Sequence, residues 1–397
     1  MKRGTRLWAF LVAIVSLWLF VACGGSEEAT PSPSASPTSG QQALRPLQIG
    51  HIVDQTGALA PLGASYLRGV ELATEIWNAD ATRRKVTVRV CDSQSTGEGA
   101  LACYRQLEGW ADAIVGPNLF VGLASVRGVA SGKPPVVIST VPFVEPPANS
   151  YIFQTIPNVE DAVAVVFQYF QRKGIRRVAT LTSNDQPGNL AKDAASKLAG
   201  NYNIQLVRSE VFDPQAQNVA PQAQNIAAAQ PEAVFVWTAG AQLITVLRAI
   251  HGANITVPVM LNYASMNLPL LRQAGNDVPP ELLFFATDVF DPSSVAANRQ
   301  AYKDRIETFN RQYQAKYGAV PDLLAYATAD ILFIVAQAGA NVDSPAVLKQ
   351  ALESGAEFQG VLFEGYSFSR EQHVARVKPG FSFLRWNPSS ATWSLAR

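Results

Sequence analysis

From residue 47 onward, short β-branched runs alternate with amphipathic helical stretches, and that rhythm restricts the chain more than any other feature. Residues 47–53 form the first β-rich run. A Gly/Pro loop follows, then a helix with Leu67, Val70, Ala73, Ile76 and Trp77 on one face. Strands are expected at 86–90, 113–115 and 135–138, with helices over 101–110 and 119–129 between them. After Pro157 the pattern restarts: helix 159–171, strand 177–181, helix 189–198, strand 204–211, helix 219–229, strand 233–237, helix 241–251 and strand 257–261. Repeated strand–helix–strand units of this length predict parallel sheets with helices on both faces, and the restart predicts two of them. The fold class is therefore α/β, with two doubly wound lobes. A further strand-like run at 283–287, long helices at 299–317 and 323–340, and late strands at 360–363 and 381–386 imply that the chain crosses between lobes more than once. Crossings near Gln154, Thr287 and Glu364 would make a three-stranded hinge, with 47–154 plus 288–363 in lobe one and 155–287 plus 364–397 in lobe two.

The N-terminus sets the compartment. Lys2, Arg3 and Arg6 precede an apolar run from Leu7 to Ala22 broken only by Ser16, the pattern of an export signal over 1–22. The run is shorter than the roughly 20 residues a comfortable membrane span needs. Leu19-Phe20-Val21-Ala22-Cys23 resembles a bacterial lipobox, which makes Cys23 the expected site of acylation, with Phe20 standing where that motif usually has Leu. Residues 23–46 then read as a tether, because Ser, Pro, Thr and Ala without apolar periodicity cannot bury a core. The expected location is outside the cytoplasm, on the bacterial membrane, held by lipid alone.

Charge removes several functional classes. The chain carries 32 basic and 31 acidic residues, and loss of the signal would leave 29 against 31. No basic block follows, so nucleic acid has no electrostatic footprint here. Cys91 and Cys103 are the two cysteines beyond Cys23, an even pair suited to an oxidising space. They could join across one strand–helix turn or remain as two free buried thiols. The histidines are His51, His251 and His373, none in an expected cleft loop, and no CxxC or HExxH occurs. Neither a metal nor a cofactor is expected, and catalysis is disfavoured for want of a base beside a nucleophile. Gly128-Val129-Ala130-Ser131-Gly132-Lys133 has glycine spacing one residue short of a phosphate loop and is read as a helix-ending turn.

Segments spread over residues 47–386 resemble the type I periplasmic binding proteins, specifically the leucine/isoleucine/valine-binding family. They include Ile49-Gly50-His51-Ile52-Val53 with Thr56-Gly57, Gly69-Val70-Glu71-Leu72-Ala73, Cys91-Asp92-Ser93-Gln94-Ser95, Val115-Gly116-Pro117, Val137-Ile138-Ser139-Thr140 and Gln154-Thr155-Ile156-Pro157. The resemblance implies two lobes, three crossovers and a ligand between them. It also implies a monomeric solute-binding protein that hands a small molecule to an ABC permease, or alternatively a lipid-anchored receptor of the same fold that signals to a sensor or cell-wall enzyme. Ligands in open parallel sheets bind beyond the carboxyl ends of the strands. The candidate contacts are Leu62, Asn118, Leu119, Phe120, Thr140, Val141, Pro142 and Phe143 in lobe one, and Asp185, Gln186, Ala239, Gly240 and Tyr263 in lobe two.

In the amino-acid-binding members a Ser, a Thr and an acidic residue clamp the zwitterion. Placed on that pattern, this chain has Phe120, Phe143 and Tyr263 at those positions, and Pro187 where an aromatic usually follows. An ammonium there would lack its anion, at a cost of several kcal/mol. The expected ligand therefore has an apolar or aromatic body, with any carboxylate held by the backbone of Phe120 and Val121 or by the hydroxyls of Thr140 and Tyr263. A branched-chain amino acid is the less favoured ligand. Two alternatives stay open: Phe120 and Phe143 could turn into the core, and Asp185 could supply a countercharge.

Overall fold

The computed structural model describes residues 44–142, 146–240, 242–266, 268–378 and 381–396. Cys23, the export signal and Phe143 lie outside the described residues, so the expectations placed on them carry no structural account. Among the described residues no helix is long and apolar enough to cross a membrane.

Lobe one opens with β1 (Leu47–Val53), α1 (Ala60–Ala79), β2 (Val86–Asp92), α2 (Gly97–Leu107), β3 (Ala113–Val115), α3 (Phe120–Ala130), β4 (Val136–Ser139) and β5 (Ile152–Gln154). These five strands form one all-parallel sheet in the order β2-β1-β3-β4-β5. Lobe two follows with α4 (Val159–Arg172), β6 (Arg177–Ser183), α5 (Gln186–Leu198), β7 (Gln205–Phe212), α6 (Ala220–Ala228), β8 (Ala233–Trp237), α7 (Gln242–Gly252), β9 (Val259–Leu261), α8 (Leu268–Ala274) and β10 (Leu282–Ala286). The chain then runs through α9 (Gln300–Tyr317), α10 (Leu323–Ala338), α11 (Pro345–Leu352), β11 (Phe358–Gln359), β12 (Gly365–Ser367), β13 (Arg376–Val377), β14 (Ser382–Asn387) and β15 (Thr392–Leu395). The second sheet has the order β15-β14-β10-β9-β8-β6-β7, with β14 and β15 added antiparallel at one edge.

Strands covered on both faces must be apolar throughout rather than alternating. β8, Ala233-Val234-Phe235-Val236-Trp237, is buried at every position. On one face of the first sheet Ile49 packs with Val70 and Ala73 of α1 and Ile331 of α10; on the other Ile52 packs with Tyr104 of α2 and Val126 of α3. The second sheet is covered by α6, α7 and α8 on one side and by α4 and α5 on the other. Contact between α1 and α10 requires a glycine, because a Cβ on Gly69 would stand 2.2 Å from the Ala325 carbonyl oxygen. Gly116, at φ +85°, makes the turn after β3 that leads into the cleft.

Three passages join the lobes. Ile156 is still in the first core while Val159 is in the second; Ala286 ends a lobe-two strand while Val289 packs in the first core. The third passage is a correction. The expected crossing at Glu364 falls later, between Val377 and Ser382, because Tyr366, Phe368 and Ala375 bury in the first core and β12 pairs with β11 there. The expected strand at 360–363 is also absent. The Asp330 carboxylate takes the amides of Val361 and Leu362 at 2.6 and 2.9 Å, which makes a turn where a ladder would need those donors. Cys91, in β2, and Cys103, in α2, are joined as a disulfide. The segment after Gly128 ends α3 at Ala130 and turns, as a helix-ending stretch should.

Candidate functional site

The carboxyl ends of the lobe-one and lobe-two strands face one cavity of about 330 Å³. Lobe one contributes Leu62 and Tyr66 from α1, Asn118, Leu119 and Phe120 after β3, Thr140, Val141 and Pro142 after β4, and Ile156 after β5. The start of α10 adds Leu323, Leu324 and Ala327. Lobe two contributes Pro187, the stretch Trp237-Thr238-Ala239 at the end of β8, and Asn262, Tyr263 and Ala264 after β9. No Asp, Glu, Lys, Arg or His is among these residues. Two larger hollows, of about 450 and 490 Å³, lie away from the strand ends. One is beside Trp77, Arg305 and Phe333, the other beside Asp161, Arg172 and Phe383.

Nine of the expected residues meet at this cavity: Leu62, Asn118, Leu119, Phe120, Thr140, Val141, Pro142, Ala239 and Tyr263. Asp185, Gln186 and Gly240 do not line it, and all three are exposed. Asp185 instead caps α5: its Oδ1 accepts from the Gly188 amide and the Ser183 hydroxyl, both at 2.8 Å. Phe120 is 40% exposed at the rim, which removes the alternative that it turns into the core.

Several lining residues went unread in the sequence. Tyr66 belongs to the row Tyr66, Val70, Ala73, Trp77 at helical spacing, a signal that was present. Trp237 ends a correctly expected strand, two residues before the candidate Ala239. Leu323, Leu324 and Ala327 come from a helix far along the chain, and no local pattern ties them to the cleft.

The polar groups of the lobe-one wall bond to one another. The Tyr66 hydroxyl donates to the Asn118 carbonyl at 3.3 Å, and Asn118 Oδ1 accepts from both the amide and the hydroxyl of Thr140, each at 3.1 Å. In lobe two, Asn262 Nδ2 donates to the Thr238 carbonyl at 3.0 Å, and Asn262 Oδ1 accepts from the Ser265 amide at 3.1 Å. Burial raises the ionisation of Tyr66 and Tyr263 far above the ordinary phenol range, so both stay neutral donors. Trp237 and Tyr263 both stand against Phe285, with ring centroids 6.1 and 5.4 Å from it. Asp54, at the end of β1, is buried and held by the Ser93 hydroxyl, and desolvation raises its pKa; it does not line the cavity. Among the described residues no group of three or more His, Cys, Asp or Glu is placed to hold a metal ion.

A sequence model of the periplasmic binding protein family matches residues 46–390. Many solved structures share the fold. An ABC transporter substrate-binding protein from Sphaerobacter thermophilus is 20% identical, with a TM-score of 0.75, covering 88% of this chain and 96% of its own. An extracellular ligand-binding receptor from Rhodopseudomonas palustris is 17% identical, with a TM-score of 0.72 over 88% and 99% of the two chains. A leucine-binding protein from Thermotoga maritima is 14% identical, with a TM-score of 0.71 over 88% and 98%. At these identities the likeness is one of fold. No curated protein sequence matches.

Proposed function

The chain belongs to the periplasmic binding protein family, and from that premise we propose that it is an extracytoplasmic, lipid-anchored solute-binding protein. It takes a small molecule with an apolar body into the interlobe cleft and presents it to the permease of an ABC importer. The observation that carries this reading is the cavity, to which both lobes contribute at the carboxyl ends of their strands. Its size suits a compact solute, at the low end of the roughly 300–1,000 Å³ of small-molecule pockets. Burying an aromatic ring of about 150 Å² in such a lining is worth roughly 4 kcal/mol at about 25 cal/mol/Å², before the entropy of binding is subtracted. A neighbour of the same fold is named a substrate-binding protein of an ABC transporter, which favours import.

Ligand bound to one lobe gains contacts from the other only when the cleft shuts, so binding shifts the population toward the closed form. The test pairs a thermal-shift screen of aromatic and aliphatic solutes and amino acids with small-angle scattering. A hit that raises Tm and reduces the radius of gyration supports the reading. A hit that leaves the radius unchanged, or that is indifferent to Ala327→Trp in the cleft, overturns it. Anchoring at Cys23 is tested separately: the wild type should need detergent for extraction from membranes, and Cys23→Ser should appear in the soluble fraction.

A further inference from the structure

Resting on that reading of the cleft, we propose that the cognate ligand is an uncharged molecule with a ring-like apolar body and one oxygen acceptor. The acceptor points at lobe two, where Trp237 Nε1 and Tyr263 Oη donate to it, and lobe one supplies only an apolar bed. Three observations lead there. The hydroxyls and the acceptor oxygen that lobe one brings to the cavity are engaged within the wall: Tyr66 donates to Asn118, and Thr140 donates twice to Asn118 Oδ1. The remaining amide nitrogen of Asn118 has no partner but is sealed inside the protein, 3.1 Å from where a Cβ on Gly116 would stand, and so is not open to a ligand in the cavity.

Lobe two differs. Trp237 is buried and Tyr263 half-buried, both line the cavity, and both are braced by Phe285. Among the described residues neither Trp237 Nε1 nor Tyr263 Oη has a hydrogen-bond partner, and neither atom is sealed inside the protein as the Thr238 hydroxyl beside them is. Two donors left open on one wall of a closed cleft select for an acceptor, because a ligand without one strands both. The third observation is the absence of any charged side chain from the described lining. A carboxylate would meet only neutral donors, an ammonium would meet no anion, and each would lose its hydration on closure. A neutral carbonyl, ether or phenolic oxygen satisfies the donors without that cost. The sequence expectation spread the polar contacts over both lobes, on the backbone of Phe120 and Val121 and the hydroxyls of Thr140 and Tyr263; of these, the proposal keeps Tyr263.

Titration calorimetry of the full chain with four ring-matched probes tests it: acetophenone, toluene, benzoate and phenylalanine. Acetophenone should bind at least tenfold more tightly than each of the others. Tyr263→Phe, which keeps the ring and removes the donor, should weaken acetophenone about fivefold to tenfold and leave toluene unchanged, and Trp237→Phe, which also shrinks the ring, should weaken acetophenone about fivefold to tenfold more than it weakens toluene. Equal thermal stability of the variants checks that the wall is intact. Benzoate or phenylalanine binding tightest, with compaction in scattering, overturns the uncharged-ligand inference and leaves the solute-binding reading standing. Acetophenone indifferent to both variants overturns the assignment of the donors. Failure of all four probes to bind overturns this inference and the apolar-cleft reading together.

Discussion

His51 sits in the middle of β1 with both ring nitrogens buried and, among the described residues, without a hydrogen-bond partner. Burial holds its pKa down to about 3. The unfolded chain takes up a proton on this residue below about 6.5, so stability falls as pH drops from about 6.5 toward 3, by at most about 1.4 kcal/mol per pH unit. Replacing the ring by a hydrocarbon of similar size removes two stranded polar atoms. His51→Leu should therefore raise the unfolding free energy by about 1–2 kcal/mol at pH 7, and by more at pH 5. Urea titrations at the two pH values check this, and a loss of stability at both would contradict it.

Asp330 presents the opposite sign. It is fully buried, and desolvation lifts its pKa to about 6 against the hydrogen bonds from Tyr366 and the amides of Val361 and Leu362. The folded state holds this proton where the unfolded state has lost it, so its contribution is greatest below pH 4 and declines as pH rises through about 6. Asp330→Asn offers one acceptor oxygen in place of two and should cost about 2–3 kcal/mol. The difference from wild type should narrow between pH 4 and pH 6.

At the scale of single elements, the disulfide and the helix caps carry the testable content. Cys91 and Cys103 tie the edge strand β2 to α2, which Thr96 caps by accepting from the Gly99 amide at 2.9 Å. They close a loop with a sequence separation of 12, for which the chain-entropy model gives roughly 3 kcal/mol. The double variant Cys91→Ser/Cys103→Ser should lose about that much in denaturant unfolding while still binding ligand, because neither residue lines the cavity. Asp185 discriminates a cap from a countercharge. Asp185→Ala should cost about 1 kcal/mol in stability and leave affinity unchanged, since its carboxylate serves the first turn of α5. A large affinity loss for an ammonium-bearing ligand in that variant would restore its role in binding.

At the scale of the whole molecule, the passages between lobes are fastened by a small charged cluster. Arg299, before α9, reaches Asp288 at 3.0 Å, just past the second passage, and Glu364 at 2.6 Å; the Ser382 hydroxyl, just past the third, also donates to Asp288. The first passage is stitched to the late segment by the Gln154 amide on the His373 carbonyl at 2.9 Å and the Ala375 amide on the Gln154 carbonyl at 2.8 Å. Removing the cation would leave the buried Asp288 carboxylate short of its countercharge. Arg299→Met should lower stability by about 2–3 kcal/mol, with the loss reduced when Asp288→Asn is added. A double-mutant cycle in urea measures the coupling, and additive losses would show that the pair does not act as a unit.

Continuous apolar runs and 3.6-residue periodicity are local properties, so the α/β class, the parallel strands of both sheets and most element positions are legible in the residues. Nine of the candidate residues line the cavity, since the ends of parallel strands converge wherever such sheets form. The late segment depends on contacts far away in the chain. Nothing local in Gly360-Val361-Leu362-Phe363 distinguishes a strand from a turn whose amides are taken by a carboxylate 31 and 32 residues earlier. The same holds for the polarity of the cleft. Whether the hydroxyl of Thr140 or the indole of Trp237 is free to meet a ligand depends on which partner each finds on a neighbouring loop. Those partners are set by how the loops pack, not by the residues alone.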